Sequence, residues 1–574
     1  MKNFYCITGH RQKGSAIVLT LILTSVAVLI LAGAMGWASH SARMTYRFTQ
    51  HGRAVAAAEG ATEKVLSKIQ NDFLNGGLSV VSANLSDYSA LIPTTADSSY
   101  WSDWEFTDAS GHANQTFVQY INATNYIILN SSYAGLKGFV TPITIVSDAR
   151  QTNDPQKVIA GVYQQIQLAQ IPIFQFVMYT TGEMEISCGQ PFTISGRVHS
   201  NQKLYIEPDN LLTFQSGVEA VDDILFQRDP LDTRSAPDGS AVYQLQPQSH
   251  VTSTSLPIGT NNTPTAVREI IQPPPAGESA NSTMGRLRYY NQADMVVVVS
   301  NSSISATSGN FDNFATPVPA SQTSLFVTTS ASFTDAREGK TVMPIDINVG
   351  ALRAWSATNT SIRAALGSKD VSSIYVLDRR TLSSGNLPAV RVSNGQQLPA
   401  RGLTVATADP LYVQGHYNQI NSAYLGTTNT STTLPASLVG DAITILSVNW
   451  DDSDSSSSLS SRTAAPTTVN AAILAGDVPT VAGQYSGGME NFPRFLESWG
   501  LANPFTYNGA MIKMFPSLYA TNYWGKGNVY NPPARKWAYD VNFEDPTKLP
   551  PLTPSLLRVI RSQWATVAPN QTAP

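Results

Sequence analysis

The chain has little charge and almost no cysteine. Asp, Glu, Lys and Arg make up 13% of its 574 residues, about half of the usual quarter. Two cysteines are too few for a disulfide-bonded scaffold or a cysteine-based zinc site, and seven scattered histidines make a histidine cluster unexpected. The formal net charge of −4 contains no basic excess, so we expect no nucleic-acid partner.

The N-terminal region lacks proline and, over a long stretch, charge. No proline occurs before Pro93, and residues 15–42 contain no Asp, Glu, Lys or Arg. Residues 16–37 are mostly Ile, Leu, Val and Ala, and at about 1.5 Å per residue they extend about 33 Å, enough to cross the hydrocarbon core of a membrane. A secretory signal peptide is the alternative, but its apolar part is normally shorter.

An amphipathic helical pattern follows the apolar run. Side chains that suit one buried face recur at spacings of three and four residues: Val55, Ala58, Thr62, Leu66, Ile69 and Phe73. We therefore predict one helix over residues 15–75, with only its first third in lipid. Within the apolar run, Ala32 and Gly36 form a pair of small residues four apart, a spacing that favours close packing between helices.

Two short segments resemble those of a known family. Residues 13–19, Lys-Gly-Ser-Ala-Ile-Val-Leu, resemble the cleavage site of type IV prepilins, in which a short basic leader and a glycine precede an apolar helix. Residues 56–60, Ala-Ala-Ala-Glu-Gly, resemble the N-terminal signature of PilX-type minor pilins. The resemblance implies a leader of residues 1–14, which a membrane-bound prepilin peptidase removes between Gly14 and Ser15 on the cytoplasmic side.

The resemblance also bears on the kind of subunit. Most pilins carry glutamate at the fifth mature position, where this chain has Leu19. In the family that carboxylate is thought to neutralise a neighbour's N-terminal amine, because a lone charge in lipid is unfavourable. PilX-type minor pilins and the large K-type pseudopilin of type II secretion often lack it. The resemblance thus implies a minor pilin, at the tip or in low copy, with Leu19, Ala32, Gly36 and Glu59 taking part in helix assembly.

The same resemblance implies partners and a location. The partners would be the inner membrane, other pilin-like subunits and the prepilin peptidase, within a type IV pilus or a type II secretion pseudopilus. The chain would cross the inner membrane once, with its N-terminus in the cytoplasm and its body in the periplasm or on the pilus surface. Loss of the three basic leader residues would leave 33 basic and 40 acidic residues, a net charge of −7.

The composition changes at about residue 80, where Ser, Thr, Asn and Gly become frequent. We predict a mixed α/β region at 80–170, a mainly-β body at 171–450 and an aromatic-rich region at 465–565. A polar, proline-rich excursion at 229–285 is predicted to be an exposed linker. The predicted fold class is α+β, a long transmembrane and amphipathic helix followed by a large mainly-β body. Alternation without a fixed repeat leaves a β-solenoid and a β-sandwich as equal alternatives for that body.

Catalytic motifs are missing as well. The sequence contains no P-loop, Rossmann fingerprint, H-E-x-x-H or G-x-S-x-G, so we predict neither an enzyme nor a bound cofactor. The acidic run of Asp451, Asp452 and Asp454 does not have the spacing of an EF-hand loop. Calcium binding there is an open hypothesis, and we predict no other metal site.

The C-terminal aromatic residues suggest an alternative function. Glu490, Arg494 and Glu497 are spaced for a charge ladder if residues 490–499 form a helix packed on the body. A different interpretation is that three tryptophans contact a peptide or glycan at the surface: Trp499, Trp524 and Trp537. The alternative function is therefore a membrane-anchored or secreted β-rich adhesin or binding protein.

Overall fold

The computed structural model describes residues 15–121, 123–129, 135–235, 239–311, 313–525 and 529–574. The predicted leader at 1–14, with Gly14, lies outside these residues. The helices are α1 (Ser15–Ala83), α2 (Leu85–Ser89), α3 (Pro264–Val267), α4 (Tyr289–Gln292), α5 (Ala320–Thr323), α6 (Val349–Thr358) and α7 (Thr360–Ala365).

The described strands follow in chain order. They are β1 (Trp104–Thr107), β2 (Phe117–Tyr120), β3 (Asn125–Ile128), β4 (Lys137–Gln151), β5 (Ile159–Pro172), β6 (Phe176–Thr180), β7 (Met184–Ile186), β8 (Phe192–Ile194), β9 (Arg197–Ser200), β10 (Leu204–Ile206), β11 (Leu211–Phe214), β12 (Val218–Ala220), β13 (Ile224–Leu225), β14 (Ser240–Tyr243), β15 (Met295–Val299), β16 (Ile304–Asn310) and β17 (Asn313–Val318). They continue with β18 (Val327–Thr328), β19 (Phe333–Asp335), β20 (Lys340–Asn348), β21 (Ser373–Asp378), β22 (Asn386–Ser393), β23 (Leu403–Thr407), β24 (Leu411–Gln414), β25 (Ala436–Gly440), β26 (Ile443–Leu446), β27 (Thr467–Asn470), β28 (Ala472–Asp477), β29 (Arg494–Phe495), β30 (Ser498–Gly509), β31 (Met511–Pro516), β32 (Asn531–Tyr539) and β33 (Ser555–Val567).

Helix α1 confirms the predicted long N-terminal helix and extends it to Ala83, with a kink at Gly77, where φ is 72°. Its first part is exposed, and burial begins at Gln50. From there one face is buried, with the spacing of three and four that the sequence predicts: Ala54, Ala57, Ala58, Ala61, Thr62, Val65, Leu66, Ile69, Asp72 and Phe73. The same helix is thus free at one end and packed at the other.

The packed half of α1 lies on an antiparallel sheet, and together they form what we call the head. The sheet has the order β1-β4-β5-β33, and β2 and β3 also pair with β4. Small residues of α1, such as Ala57 and Ala61, pack near Trp104 and Phe106 of β1. Further along, Val65 and its larger neighbours pack on the aliphatic centre of β4 and β5.

A β-solenoid is inserted into the head between β5 and β33, at residues 173–554. Ser555 pairs with Pro172 across the two strands, and the Ile173 N–H donates to the Pro554 carbonyl at 3.0 Å. The chain therefore leaves the head and returns to it at the same point. The predicted aromatic-rich region at 465–565 is divided by this arrangement, because β27–β32 belong to the solenoid and β33 belongs to the head.

Stacked parallel strands form the solenoid, so the alternative of a sandwich, which is built from antiparallel sheets, is wrong. Its largest described sheet has the order β12-β9-β6-β31-β28-β25-β23-β21-β15-β16-β17, and all neighbours from β12 to β15 are parallel. Buried aliphatic side chains align from coil to coil: Ile374, Val405, Leu438, Ile473, Met511, Met178, Val198 and Val218. This column is the core of the body.

The solenoid is built in two passes. Strands β6 to β14 form three coils that extend in one direction. The chain then crosses to the other end, starts again at β15 and advances coil by coil until β31 pairs with β6. The last coil of the second pass therefore stacks on the first coil of the first pass.

The crossing segment follows β14 and includes the later part of the predicted excursion at 229–285, where the prediction of an exposed linker is wrong. Leu256, Ile258, Val267, Ile270 and Ile271 are buried against the outer face of the large sheet. That face is apolar, so leaving it uncovered would be unfavourable.

An ion pair holds the crossing segment in place. The Arg268 guanidinium donates to Asp441 Oδ1 at 2.8 Å, and both side chains are buried. Asp441 also accepts from the backbone N–H groups of Leu518, Tyr519 and Ala520. Because a buried charge needs such partners, this site ties the segment firmly to the coils.

The predicted helix at 490–499 is also wrong. Gly487 and Gly488 have positive φ, a single helical turn covers Met489–Asn491, and β29 and β30 follow. The charged residues do not form a ladder, because each is buried with a partner of its own. Arg494 pairs with Glu338 at 2.6 Å, whereas Glu497 accepts from the N–H and the hydroxyl of Ser447, both at 2.6 Å.

Candidate assembly interface

The exposed first part of α1 is a continuous apolar surface. Ile17 is 67% exposed, Leu19 58%, Trp37 75% and Phe48 82%. In the described chain, α1 is the one helix long and apolar enough to cross a membrane. A surface of this kind is unfavourable in water, so it needs lipid or other apolar helices around it.

The predicted assembly residues Leu19, Ala32 and Gly36 all lie on this exposed part. Ser15, the first described residue, is already helical. Ala32 and Gly36 are exposed on one face, one turn apart. A Cβ added at Gly36 would have no atom of the described residues within 4 Å, so no contact among these residues requires a glycine there.

Glu59 and its signature lie instead in the packed half of α1. Ala57 and Ala58 are buried, and a Cβ on Gly60 would lie 2.9 Å from Cη2 of Trp101. Glu59 is half-buried. The small residues of the signature therefore allow the helix to approach the sheet closely, which is a role inside the head. A part for Glu59 in assembly stays a prediction.

A hydrogen bond marks the point where α1 leaves the head. The Tyr46 hydroxyl donates to Asp154 Oδ1 at 3.0 Å. Asp154 lies in the turn between β4 and β5 and also accepts from the N–H groups of Gln156 and Val158, at 3.0 and 2.7 Å. The base of the exposed helix is therefore tied to a turn that Asp154 itself orders.

Polar contacts on the packed face fix α1 to both neighbouring strands. Arg561 of β33 donates to the two oxygens of Glu63 at 2.6 and 2.8 Å, and Gln164 of β5 donates to Glu63 at 2.9 Å and to Thr62 at 3.0 Å. Burial would raise the pKa of Glu63, but these hydrogen bonds outweigh it and lower the pKa. The sequence alone does not reveal these contacts, although Glu63 adjoins the predicted buried face.

The predicted surface contact is wrong for Trp499 and Trp537. Trp499 is 2% exposed and packs edge-to-face on Phe495 and Phe505, with ring centroids 5.5 and 6.0 Å away. Trp537 is 9% exposed and packs edge-to-face on Phe192 at 5.3 Å. Both rings fill the interior because buried aromatic area stabilises the coils there.

Trp524, the third predicted tryptophan, is half-buried. Its indole N–H donates to the Tyr530 hydroxyl, and its ring packs edge-to-face on Tyr485 at 5.6 Å. The Arg234 guanidinium lies 5.6 Å from the ring centroid. The structure therefore does not bring the three tryptophans together on one exposed surface.

The acidic run at 451–454 is already engaged within the protein. Asp452 accepts from Arg391 at 2.6 Å and from the Trp450 indole N–H at 2.8 Å. Asp451 accepts from the N–H and the hydroxyl of Ser453. Among the described residues, no group of three or more His, Cys, Asp or Glu is placed to hold a metal ion.

A cleft of about 210 Å³ lies at the seam where β31 meets β6. Its lining includes Glu185, Asp229, Asp477 and Lys513. Burial raises the pKa of Glu185 to about 7, and its carboxyl group accepts from the Thr480 hydroxyl at 2.6 Å. Since β7 carries Glu185 and Thr480 follows β28, this contact joins the two passes of the solenoid.

Comparisons with known proteins yield little. No family model and no curated protein matches the chain. Among solved structures, it is similar to the crystal structure of the competence-associated pilin ComZ from Thermus thermophilus, with a TM-score of 0.28 and 8% identity. That match covers 90% of this chain and 98% of the other. Because the score is so low, this likeness carries no argument about function.

Proposed function

We propose that this protein is a minor pilin-like subunit, at the tip or in low copy, of a type IV pilus or a type II secretion pseudopilus. It acts by assembly and not by catalysis. The observation that carries the proposal is the division of α1 at Gln50. Before this residue the helix is apolar and exposed, and after it one face of the helix packs on a sheet. Such a division supports a helix that moves from lipid into a bundle of like helices while its head stays folded.

The sequence motifs agree with this role. In the sequence, the glycine of the predicted cleavage point, Gly14, directly precedes Ser15 and the apolar run. The prepilin peptidase and the inner membrane are then the first partners, and other pilin-like subunits are the later ones. In this proposal the N-terminus faces the cytoplasm, and the head and solenoid lie in the periplasm or on the pilus surface.

The size of the inserted solenoid supports the role of a minor subunit. The solenoid occupies residues 173–554 and is much larger than the head that carries it. A body of that size would obstruct its neighbours if it were repeated along a thin fibre. Leu19, in place of the family's usual glutamate, also fits a subunit that is not the major one.

The N-terminal sequence of the mature protein, purified from membranes and from sheared surface fibres, tests the proposal. We expect a start at Ser15 in both fractions. A Gly14→Asp variant serves as the matched control, and we expect it to retain Met1 and to be absent from fibres. A wild-type chain that retains Met1 would contradict the proposal.

The alternative function has a distinct result in the same experiment. If the chain started beyond Trp37, the apolar run would be a signal peptide and the product a secreted β-rich binding protein. A mature chain that starts at Ser15 but never enters fibres would support a membrane-anchored adhesin instead.

A further inference from the structure

A polar groove lies on one corner of the solenoid, where α6 meets the loops that follow β22 and β24. Its main basin has a volume of about 790 Å³, and a second basin of about 290 Å³ shares several of its residues. The polar side chains that matter here are those of Arg353, Asn394, Gln396, Gln397, Gln414 and His416. The two basins together form one elongated trough.

The trough follows the axis of the solenoid. Its residues come from the segments after β20, β22, β24 and β26, which are successive neighbours in one parallel sheet. The polar side chains come from the first three of these coils, and because parallel strands are about 4.8 Å apart, three successive coils extend about 10 Å. A trough that offers polar groups coil after coil suits a linear polymer of polar units better than a compact small molecule.

Arg353 has no partner within the described structure. Its Nε atom is buried without a hydrogen bond, and no ion pair joins the guanidinium to any described residue. Elsewhere in the solenoid, Arg391 and Arg494 are both paired with carboxylates. None of the described residues lining the main basin carries a carboxylate, and Asp370 in the second basin is paired with Arg363. The positive charge of Arg353 is therefore available to an anionic ligand.

The other polar groups offer both donors and acceptors. His416 Nδ1 accepts from the Thr468 N–H at 3.1 Å, and burial lowers the pKa of His416, so the neutral ring carries its proton on Nε2. The Gln414 amide donates to the Trp450 carbonyl and keeps its oxygen as an acceptor. The amides of Gln396 and Gln397 add further donors and acceptors. This combination matches hydroxyl groups, which also donate and accept.

We propose that this groove binds a polysaccharide that carries carboxylate groups. The planar guanidinium of Arg353 holds one carboxylate through two parallel hydrogen bonds, and the amides and imidazole bind ring hydroxyls on neighbouring sugar units. A nucleic acid fits less well, because one arginine cannot neutralise a phosphate on every nucleotide. No described residue lining the main basin is Phe, Tyr or Trp, so bases would lack a large aromatic stacking surface. The assignment is independent of the role in assembly.

Calorimetric titration of the full-length protein in detergent with trigalacturonate tests the assignment. We expect binding to the wild type, and binding about tenfold weaker or worse in Arg353→Gln, because a charge-assisted pair is lost. Arg353→Lys keeps the positive charge but loses the planar pair of donors, so its affinity should lie between those of the wild type and Arg353→Gln. Arg286→Gln, at an exposed arginine outside the groove, is the matched control and should bind like the wild type.

Several results would overturn the assignment. One is the absence of binding heat with the wild type, and another is equal affinity in Arg353→Gln and wild type. Equal binding of neutral maltotriose would show that charge is not recognised. Tighter, Arg353-dependent binding of a short single-stranded oligonucleotide would show that the groove recognises phosphate instead. Gln397→Ala, at an exposed position, serves as a second variant and should weaken trigalacturonate binding less than Arg353→Gln does.

Discussion

Arg561 in the last strand forms a bidentate ion pair with Glu63 of the N-terminal helix, although 498 positions separate them in the chain. The pair bridges the two parts of the head between which the solenoid is inserted. Arg561 reaches the helix from β33, the strand that re-enters the head after the solenoid is complete. The head is therefore closed only when both ends of the chain are in place.

We expect a coupling energy of about 0.5–1 kcal/mol between Glu63 and Arg561, because the pair is partly exposed and screened by solvent. A double-mutant cycle with Glu63→Gln and Arg561→Gln, measured by urea unfolding, gives this value. Since the pKa of Glu63 is lowered, the coupling should hold at neutral pH and be lost as the pH falls below the usual carboxyl range. Additive effects of the two variants at pH 7 would contradict it.

Close packing at Gly60 leads to a second prediction. Alanine at Gly60 places a Cβ 2.9 Å from Trp101, whose ring contacts Tyr100 and Phe106 and so cannot move freely. We expect Gly60→Ala to lower the free energy of unfolding of the head, in spite of a gain in helix propensity of about 1 kcal/mol. Gly52→Ala is the control, because its added Cβ meets no atom within 4 Å, and it should stabilise the helix. Equal effects of the two variants on thermal unfolding would disprove the packing argument.

Burial raises the pKa of Glu497 to about 7, which predicts a dependence of stability on pH. An unfolded chain ionises this carboxyl near pH 4.3, so between about pH 4.3 and 7 the folded state holds the extra proton. Stability should therefore fall as the pH rises through this window, by roughly 4 kcal/mol at most. Above pH 7 the contribution of Glu497 should be constant.

Denaturation of the wild type and Glu497→Gln across pH 4–8, followed by tryptophan fluorescence, measures this contribution. We expect the variant to lose less stability over the window than the wild type. Asp222→Asn, which removes an exposed carboxylate, is the matched control and should leave the pH profile unchanged. Parallel profiles for Glu497→Gln and wild type would exclude the predicted proton uptake.

The small-residue face of α1 gives a prediction about assembly. Gly36→Leu should leave the chain folded and inserted in the membrane, since nothing lies within 4 Å of the added Cβ, but it should reduce incorporation into fibres by blocking close helix contact. Ala34→Leu adds a side chain of the same size on the opposite face and serves as the control. The measurement is the ratio of fibre-bound to membrane-bound protein. Equal ratios for the two variants would show that Ala32 and Gly36 are not part of the interface between helices.

A repeat of 20 residues lies in the first pass of the solenoid, although the alternation in the sequence indicated no fixed period. Met184, Leu204 and Ile224 align on successive coils at intervals of 20 residues, and Met178, Val198 and Val218 do the same. In the second pass, the aligned residues Ile374, Val405, Leu438, Ile473 and Met511 are 31, 33, 35 and 38 residues apart. The short period covers three coils only and the later coils lengthen steadily, so no single repeat extends through the body.

Buried polar residues in the body were harder to predict. Glu490, Arg494 and Glu497 have the spacing of an exposed helical ladder, yet each is buried with a different partner. Arg494 depends on Glu338, which lies 156 positions earlier. A pattern within ten residues cannot reveal a partner at that distance.

The sequence alone determined the long helix, its apolar first part and the buried face of its second part, because helical periodicity and a continuous apolar run are local properties of the chain. It also determined that the rest is rich in strands. Only the tertiary structure decided that the body is a solenoid inserted between β5 and β33, that Trp499 is interior and that Arg353 is unpaired in a groove. Each of these three features depends on contacts between segments that are distant in the chain. Such contacts are set by which coils stack on one another, and no local sequence pattern specifies that.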